Sequence, residues 1–378
     1  MALYIVVLLT FLGHVGFAGS RLAVSLYAVD QGATPFVVGT VVSLYSMVPI
    51  ALALPAGRLI DRLGYKIPLI FGTGGIGIAL LLPWLWPSLT TLYFTSTLLG
   101  IAFMVFQIAT QTLGGAIAEP AERARNFNLI SLGFAAANFT GPLFAGFMID
   151  ETGYGKTFLA LSLPLLPATA ICLMGARWIP DVHVKSGAAA GSAIDLVRIA
   201  PLRNALVASA IISGAWNLYQ SFMPIYGTQQ GLSATAIGLV LSAFAVSIIL
   251  VRAVLPVALR RASAPQLLTY AMFVACAAFC LFPLLHGAWT LAIVSFILGI
   301  GCGCGQPLSL TLVYDASPPG RAGEAAGIRI TANQIMQFAV PLVFGALGSA
   351  AGMAAVFLAN AGCLAIGGAI SRRNHARN

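Results

Sequence analysis

The chain alternates long apolar runs with short polar breaks, and the runs are too long to be strands. Stretches such as Ile67–Leu82 and Leu291–Ile300 carry no charge. They lack the alternation of a membrane barrel, whose strands run about ten residues each. A helix needs about 20 apolar residues to cross the hydrocarbon core. Read run by run, the pattern predicts twelve crossings: residues 3–28, 36–58, 67–86, 91–117, 127–149, 156–177, 204–228, 235–258, 265–285, 290–314, 325–347 and 350–370. Most breaks are short and leave no room for an extramembrane domain. The predicted class is an all-α membrane protein with twelve transmembrane helices. The first run is not read as a cleaved leader, although Ala18-Gly19-Ser20 resembles a small-residue cleavage site. No basic segment precedes it, and the apolar stretch continues to Val29, longer than a usual leader core.

Composition strengthens this picture. Of 378 residues, 59% are hydrophobic and 8% charged, against about 45–50% and about 25% in soluble chains. A water-soluble globule cannot hide that surplus, so a cytosolic enzyme, a disordered chain and a disulfide scaffold are excluded. The six cysteines sit in apolar runs. Cys302 and Cys304 are two apart and do not share a helix face, so neither a metal site nor another cofactor is expected.

Charge orients the predicted helices. Sixteen of the 19 Lys and Arg lie in or beside alternate connections, Lys156 alone lies in an opposite one, and Arg21 and Arg252 fall within helices. This bias places both termini and the basic connections in the cytoplasm, as in a prokaryotic inner membrane. The net charge of +9 is then explained by the anionic inner leaflet, with no nucleic-acid partner.

The chain also repeats itself. The longest polar connection, 178–203, separates residues 1–177 from 204–378, six predicted helices each. A constant shift of 199 superposes them: Gly32 on Gly231, Gly39 on Gly238, Gly100 on Gly299, Gln107 on Gln306, Pro142 on Pro341 and Gly146 on Gly345. Two pseudo-symmetric six-helix bundles are a known transporter plan, with the substrate near the bilayer midplane.

The connection after the second helix reads Gly57-Arg58-Leu59-Ile60-Asp61-Arg62-Leu63-Gly64-Tyr65-Lys66. It closely resembles the loop signature of the major facilitator superfamily; Tyr65, where a basic residue is usual, is the one departure. The resemblance covers the whole chain and implies that family's fold, two bundles rocking about a central cavity. Gly57, Asp61, Arg62 and Gly64, with Arg123 from the Glu119–Arg125 loop, are the expected conformational latch. The second-half loop, Pro256–Ala262, has no acidic residue. In the fifth helix, Gly141-Pro142-Leu143-Phe144-Ala145-Gly146 resembles the antiporter signature of the family's exporters. Pro142 bends a helix by removing a backbone bond, and the small residues permit close helix contact.

Polar groups inside a span are costly and usually face the interior. His14, Gln107, Asn138, Trp216, Gln306 and Gln337 fall near mid-depth. The repeat pairs Gln107 with Gln306, Asn138 with Gln337, His14 with Ser213, and Arg21 with Gln220. Arg329, Asn333 and Gln337 form an i, i+4, i+8 stripe. Gln111 follows Gln107 at i+4, Gln220 follows Trp216 at i+4, and Tyr219 flanks that pair. With Arg252 these are the candidate substrate-binding residues. All ten acidic residues fall at helix ends or in loops. His14 is therefore the titratable group expected at mid-depth, and protons are a candidate coupling ion. The cations Arg21, Arg252 and Arg329 without buried acids favour an anionic solute, held above all by Arg252 and Arg329. The expected activity is secondary transport by a monomer, with export or exchange favoured and proton-coupled uptake of a neutral or anionic metabolite as the alternative. A membrane-embedded enzyme would need an acid, metal or nucleophile constellation that is missing, and a receptor would normally add an output domain.

Overall fold

The structure is a computed structural model describing residues 2–117, 123–174, 193–318 and 321–375. Side chains are described for all of these except 2, 53–63, 115–116, 123–125, 127–128, 193–194, 322–323 and 374–375. Among the described residues there is no strand. The helices are α1 (Ala2–Asp30), α2 (Pro35–Leu63), α3 (Lys66–Leu85), α4 (Leu89–Ala116), α5 (Arg123–Thr152), α6 (Tyr154–Ser162), α7 (Leu165–Met174), α8 (Ala193–Arg198), α9 (Ala200–Gln229), α10 (Ala234–Ala258), α11 (Ala264–Leu281), α12 (Ala288–Asp315) and α13 (Ala322–His375).

All of these helices except the short α8 make the twelve predicted passes. The sixth pass is divided into α6 and α7, because Pro164 in the turn between them has no backbone N–H to continue the ladder. Conversely α13 carries two passes, separated at Gly352 with φ 81°. Its repeat partner is Gly153, with φ 80°, which separates α5 from α6. Both turns use a left-handed conformation that glycine adopts without a steric penalty. Ten segments are long and apolar enough to cross a membrane, and one of them is the 50-residue stretch that holds both passes of α13. The pass missing from that set is α9, whose 30 residues are the most interrupted by Asn, Gln, Trp and Tyr.

Three boundaries differ from expectation. The Gly57–Lys66 motif is mostly helix: α2 continues to Leu63, and only Gly64 and Tyr65 connect it to α3. Gly64, with φ 73°, stops the helix. Tyr65 is 2% exposed, so the departure from the motif is a core side chain. The connection 178–203 contains the short helix α8, and α9 starts at Ala200 because Pro201 sits at its first turn, a position that proline favours. Leu196 of α8 joins Leu202, Leu206, Val313 and Ala325 in one apolar cluster.

Contacts divide the chain into two compact units. The first comprises Met1–Ala33, Val41–Gly187 and Ser233–Ser242; the second comprises Thr34–Thr40, Ala188–Leu232 and Ala243–Asn378. In the first, α1 lies along α5 and α3 along α4. In the second, α9 lies along α13 and α11 along α12, so the repeat extends to packing. A Cβ on Gly141 would come within 2.9 Å of Gly19 N and Val15 O, which is why α5 approaches α1 through a small residue. Phe106 and Phe158 are fully buried in the first unit; Phe222, Phe279 and Phe357 are fully buried in the second.

Candidate functional site

In the first unit, one face of α1 presents His14, Phe17 and Arg21 at i, i+3 and i+7, the spacing of a shared helix face. His14 Nε2 lies 2.9 Å from Asn138 Nδ2 on α5. The same Asn138 amide donates to the Phe134 carbonyl at 2.9 Å. With its nitrogen donating twice, His14 Nε2 is the acceptor, and the neutral ring carries its proton on Nδ1. Buried Nδ1 has no hydrogen-bond partner among the described residues. Aromatic rings surround the imidazole: Phe103 at 5.1 Å and Phe134 at 4.9 Å between centroids. Phe17 stacks on Phe103 at 3.6 Å.

One turn further along α1 lies Arg21. Its Nε is buried and has no hydrogen-bond partner, and among the described residues no carboxylate pairs with it. The phenol of Tyr45, on α2, shares a 3.1 Å hydrogen bond with Ser20 Oγ, and Tyr45 is 5% exposed. A planar cation, a phenol and a serine hydroxyl thus occupy one wall, and none is matched by an acid. Gln107 is half-buried on α4, and Gln111 is exposed.

The second unit distributes its polar groups differently. Arg329, 8% exposed, donates through Nη2 to Gln306 O at 3.0 Å, Gln306 Oε1 at 2.8 Å and Ser309 Oγ at 3.3 Å. Through Nη2 it braces α13 to α12, while its buried Nε has no hydrogen-bond partner among the described residues. Asn333 accepts a 3.3 Å hydrogen bond from Ser209. Half-buried Trp216 meets Phe244 edge-on at 5.0 Å. Tyr219, fully buried, packs between Phe244 at 4.6 Å and Phe282 at 5.9 Å; it belongs to the bundle core rather than to a wall. Gln220 and Gln337 are half-buried.

Arg252, expected to point inward, is on an exposed face of α10 beside Val254, which is 59% exposed. It is six residues from the helix end, about 9 Å at 1.5 Å per residue, within reach of an interface for a snorkelling arginine. Of the expected pair, Arg252 is exposed, and Arg329 donates to Gln306 and Ser309 of α12. Arg21 keeps a buried Nε without a hydrogen-bond partner among the described residues.

Among the latch residues, Gly57, Asp61 and Arg62 fall on the last turns of α2, and Arg123 opens α5. The side chains of Asp61, Arg62 and Arg123 lie outside the described residues. Gly146 and Gly345 take the same close contact in their respective units. A Cβ on Gly345 would be 2.9 Å from Pro35 O, and one on Gly146 would run into Ala234 O. The helix α5 is continuous through Pro142. Tyr45 and Ser20 were missed in the sequence: the repeat partner of Tyr45 is the apolar Phe244, and Ser20, whose partner is Tyr219, is a small residue in an apolar run. An isolated tyrosine inside the apolar run of α2 is the signal that marks the first.

A family model described as Major Facilitator Superfamily matches residues 6–341. The Multidrug efflux pump LfrA of Mycolicibacterium smegmatis is 28% identical over 142 residues, and the Methyl viologen resistance protein SmvA of Salmonella typhimurium is 32% identical over 146 residues. Each match takes in 37% of this chain and 28% of the relative, so the chain spans little more than a quarter of the curated relatives it matches. Among solved structures, a POT family transporter in complex with a thioalcohol-conjugated peptide superposes with a TM-score of 0.84 at 12% identity, over 99% of this chain and 96% of that one. The nucleoside transporter NupG gives 0.81 at 14% identity, over 99% of each chain. An inward-facing, unoccupied bacterial homologue of the human lysosomal transporter Spinster gives 0.75 at 14%, over 98% and 92%. At such identities the superpositions establish the fold.

Proposed function

The chain belongs to the Major Facilitator Superfamily, and from that premise we propose that it is a secondary active exporter or exchanger of a small organic anion. Transport and the twelve-helix fold follow from the family; direction, coupling and substrate charge are the proposal. Export is supported by the relatives, whose names are those of an efflux pump and a resistance protein, and by the Gly141–Gly146 segment of α5. The observation that carries substrate charge is Arg21, whose buried Nε has no partner. A desolvated guanidinium costs several kcal/mol unless an anion or hydrogen-bond acceptors relieve it. A carboxylate or phosphate matches the guanidinium fork with two parallel hydrogen bonds; nearby, Tyr45 donates to Ser20 Oγ, which gives its own proton to the Phe17 carbonyl. The site is proposed to combine Arg21 with His14, Asn138 and Gln107 of the same unit; Gln306 and Gln337 are proposed as the polar groups of the second unit. The positive-inside charge pattern supports a proposed location in a prokaryotic inner membrane with both termini cytoplasmic, where the protein is proposed to work as a monomer in contact with anionic lipid.

The second reading, proton-coupled uptake, is favoured by one feature: His14 is a titratable group held in place by Asn138. The test is a panel of radiolabelled anionic, neutral and cationic solutes in proteoliposomes, with exchange and net flux measured with and without a pH gradient. Exchange of anions without a proton requirement supports the proposal. Carriage restricted to neutral or cationic solutes overturns it, and accumulation driven only by protons moves the assignment to uptake.

A further inference from the structure

The second unit contains a cavity of about 500 Å³ that takes no part in the candidate site. It lies where α9 and α11 begin and where α12 and α13 end, and all four of these helix ends border the basic connections. Its walls are mostly apolar: Ala205, Ala208, Leu268 and Gly367 are buried, and Val207 and Ile370 are exposed. Three polar side chains interrupt them, Asn204, Asp315 and Ser371. An apolar cavity with a few convergent polar groups is the usual form of a small-ligand site.

The repeat shows what opens this space. At the shift of 199, Ala205 and Ala208 fall on Val6 and Leu9, which are buried in the core of the first unit. Two alanines in place of those larger side chains leave the matching volume open. The polar lining is likewise confined to the second half, since Asn204, Asp315 and Ser371 correspond to Ile5, Ala116 and Cys172. Charge is arranged in two parts around the opening. Asp315 is the exposed last residue of α12 and forms no ion pair among the described residues. A helix C-terminus is the negative end of the dipole, so the carboxylate and the helix end both attract a cation. Positive charge comes from the exposed Arg203 and Arg372, the sequence neighbours of Asn204 and Ser371. The positive end of α9 adds to it, because the N-cap residue Ile199 makes no side-chain cap.

We propose that this cavity is a binding site for phosphatidylethanolamine from the leaflet on the side of the basic connections. The helices around it are membrane spans, so phospholipid surrounds them, and pockets between spans at a basic membrane face are suited to lipid headgroups. The ammonium is held at Asp315, with Asn204 and Ser371 as further hydrogen-bonding groups. The phosphate lies toward Arg203 and Arg372. An acyl chain passes Val207 and Ile370 into the space left by Ala205 and Ala208. A choline headgroup carries the same charge but has methyl groups where ethanolamine has N–H donors, so it satisfies Asp315 less well. An anionic lipid without an amine meets Asp315 as a like charge.

The test is native mass spectrometry of the full chain in detergent, titrated with dioleoylphosphatidylethanolamine or dioleoylphosphatidylcholine. Wild type is expected to bind the ethanolamine lipid about tenfold more tightly, the equivalent of one charge-assisted hydrogen bond. Asp315→Asn should remove that preference and leave the affinity for the choline lipid unchanged. Ala208→Leu gives the second half the residue of the first, and by filling the cavity it should weaken both lipids by about tenfold. Equal binding of the two lipids by wild type, a preference that survives Asp315→Asn, or unchanged ethanolamine-lipid affinity in Ala208→Leu would each overturn the proposal. Dodecylammonium binding as tightly as the phospholipid would also overturn it, since the occupant would then be a simple amphipathic amine. Asp315 is exposed, so its variant decides the matter even if Ala208→Leu fails to fold. The measurement needs no transported solute and is independent of the anion-export reading.

Discussion

Replacing Arg21 separates substrate binding from folding. Its guanidinium lies in the α1–α2 wall with buried Nε unpartnered, so the folded, ligand-free protein bears a desolvation cost that Arg21→Gln removes. The variant should therefore unfold at the same temperature as wild type or a few degrees higher. Binding should move the other way. Two charge-assisted hydrogen bonds to an anion contribute about 1.5–3 kcal/mol each. Their loss predicts a fall in apparent affinity of about 100-fold or more, at 1.4 kcal/mol per decade. Arg21→Lys keeps the charge but not the fork, and about a tenfold loss is expected from one surviving bond. The assay is thermal unfolding in detergent with and without each carried solute, alongside concentration dependence of exchange in proteoliposomes. Wild type should be stabilised by the anion and Arg21→Gln should not. Unchanged affinity in Arg21→Gln, or a ligand-free variant that unfolds well below wild type, would refute the reasoning.

Arg329→Gln should behave oppositely. It strands Gln306 Oε1 at the α12–α13 contact, where Gln306 O keeps its bond from Ser309 Oγ, so stability falls by about 1–3 kcal/mol with little change in apparent affinity; a large affinity loss in a stable variant would show that Arg329 meets substrate. If protons pass through the site, His14→Gln, which can still bond Asn138, should flatten the pH dependence of exchange, and an unaltered profile would exclude His14 from coupling. Asp61→Asn should slow transport and change thiol accessibility on the cytoplasmic face without loss of expression; unchanged turnover and accessibility would remove it from the latch. Gly100→Val should destabilise by about 1–3 kcal/mol through overpacking, since a Cβ there would lie 3.0 Å from the Tyr45 Cα and run into its carbonyl, and wild-type stability would show that α2 and α4 separate easily.

The number of passes was legible along the chain because crossing length is a local property. An apolar run of the right length is a helix in lipid whatever it packs against. The errors in extent came where single residues outweigh the average: Pro164 splitting the sixth pass, Pro201 starting α9 early, and Gly64 rather than Gly57 ending α2. The repeat was equally legible, since a register of 199 is a linear relation, and it extends to turns and packing. What only the tertiary structure decided is which polar groups find partners. Arg21, Arg252 and Arg329 look alike in sequence, each a cation in an apolar helix. Among the described residues, Arg21 has a buried Nε without a partner, Arg252 is exposed, and Arg329 donates through Nη2 to Gln306 and Ser309. Tyr219 was expected beside the substrate and lies in an aromatic core, whereas Tyr45, overlooked, stands next to Arg21. Asp150 read as one more acid at a helix end until α10 was found beginning against it. A side chain's cost or use in a membrane depends on the donors and acceptors that neighbouring helices bring to it, and those neighbours are up to 313 residues away in sequence, as Ser349 is from Phe36.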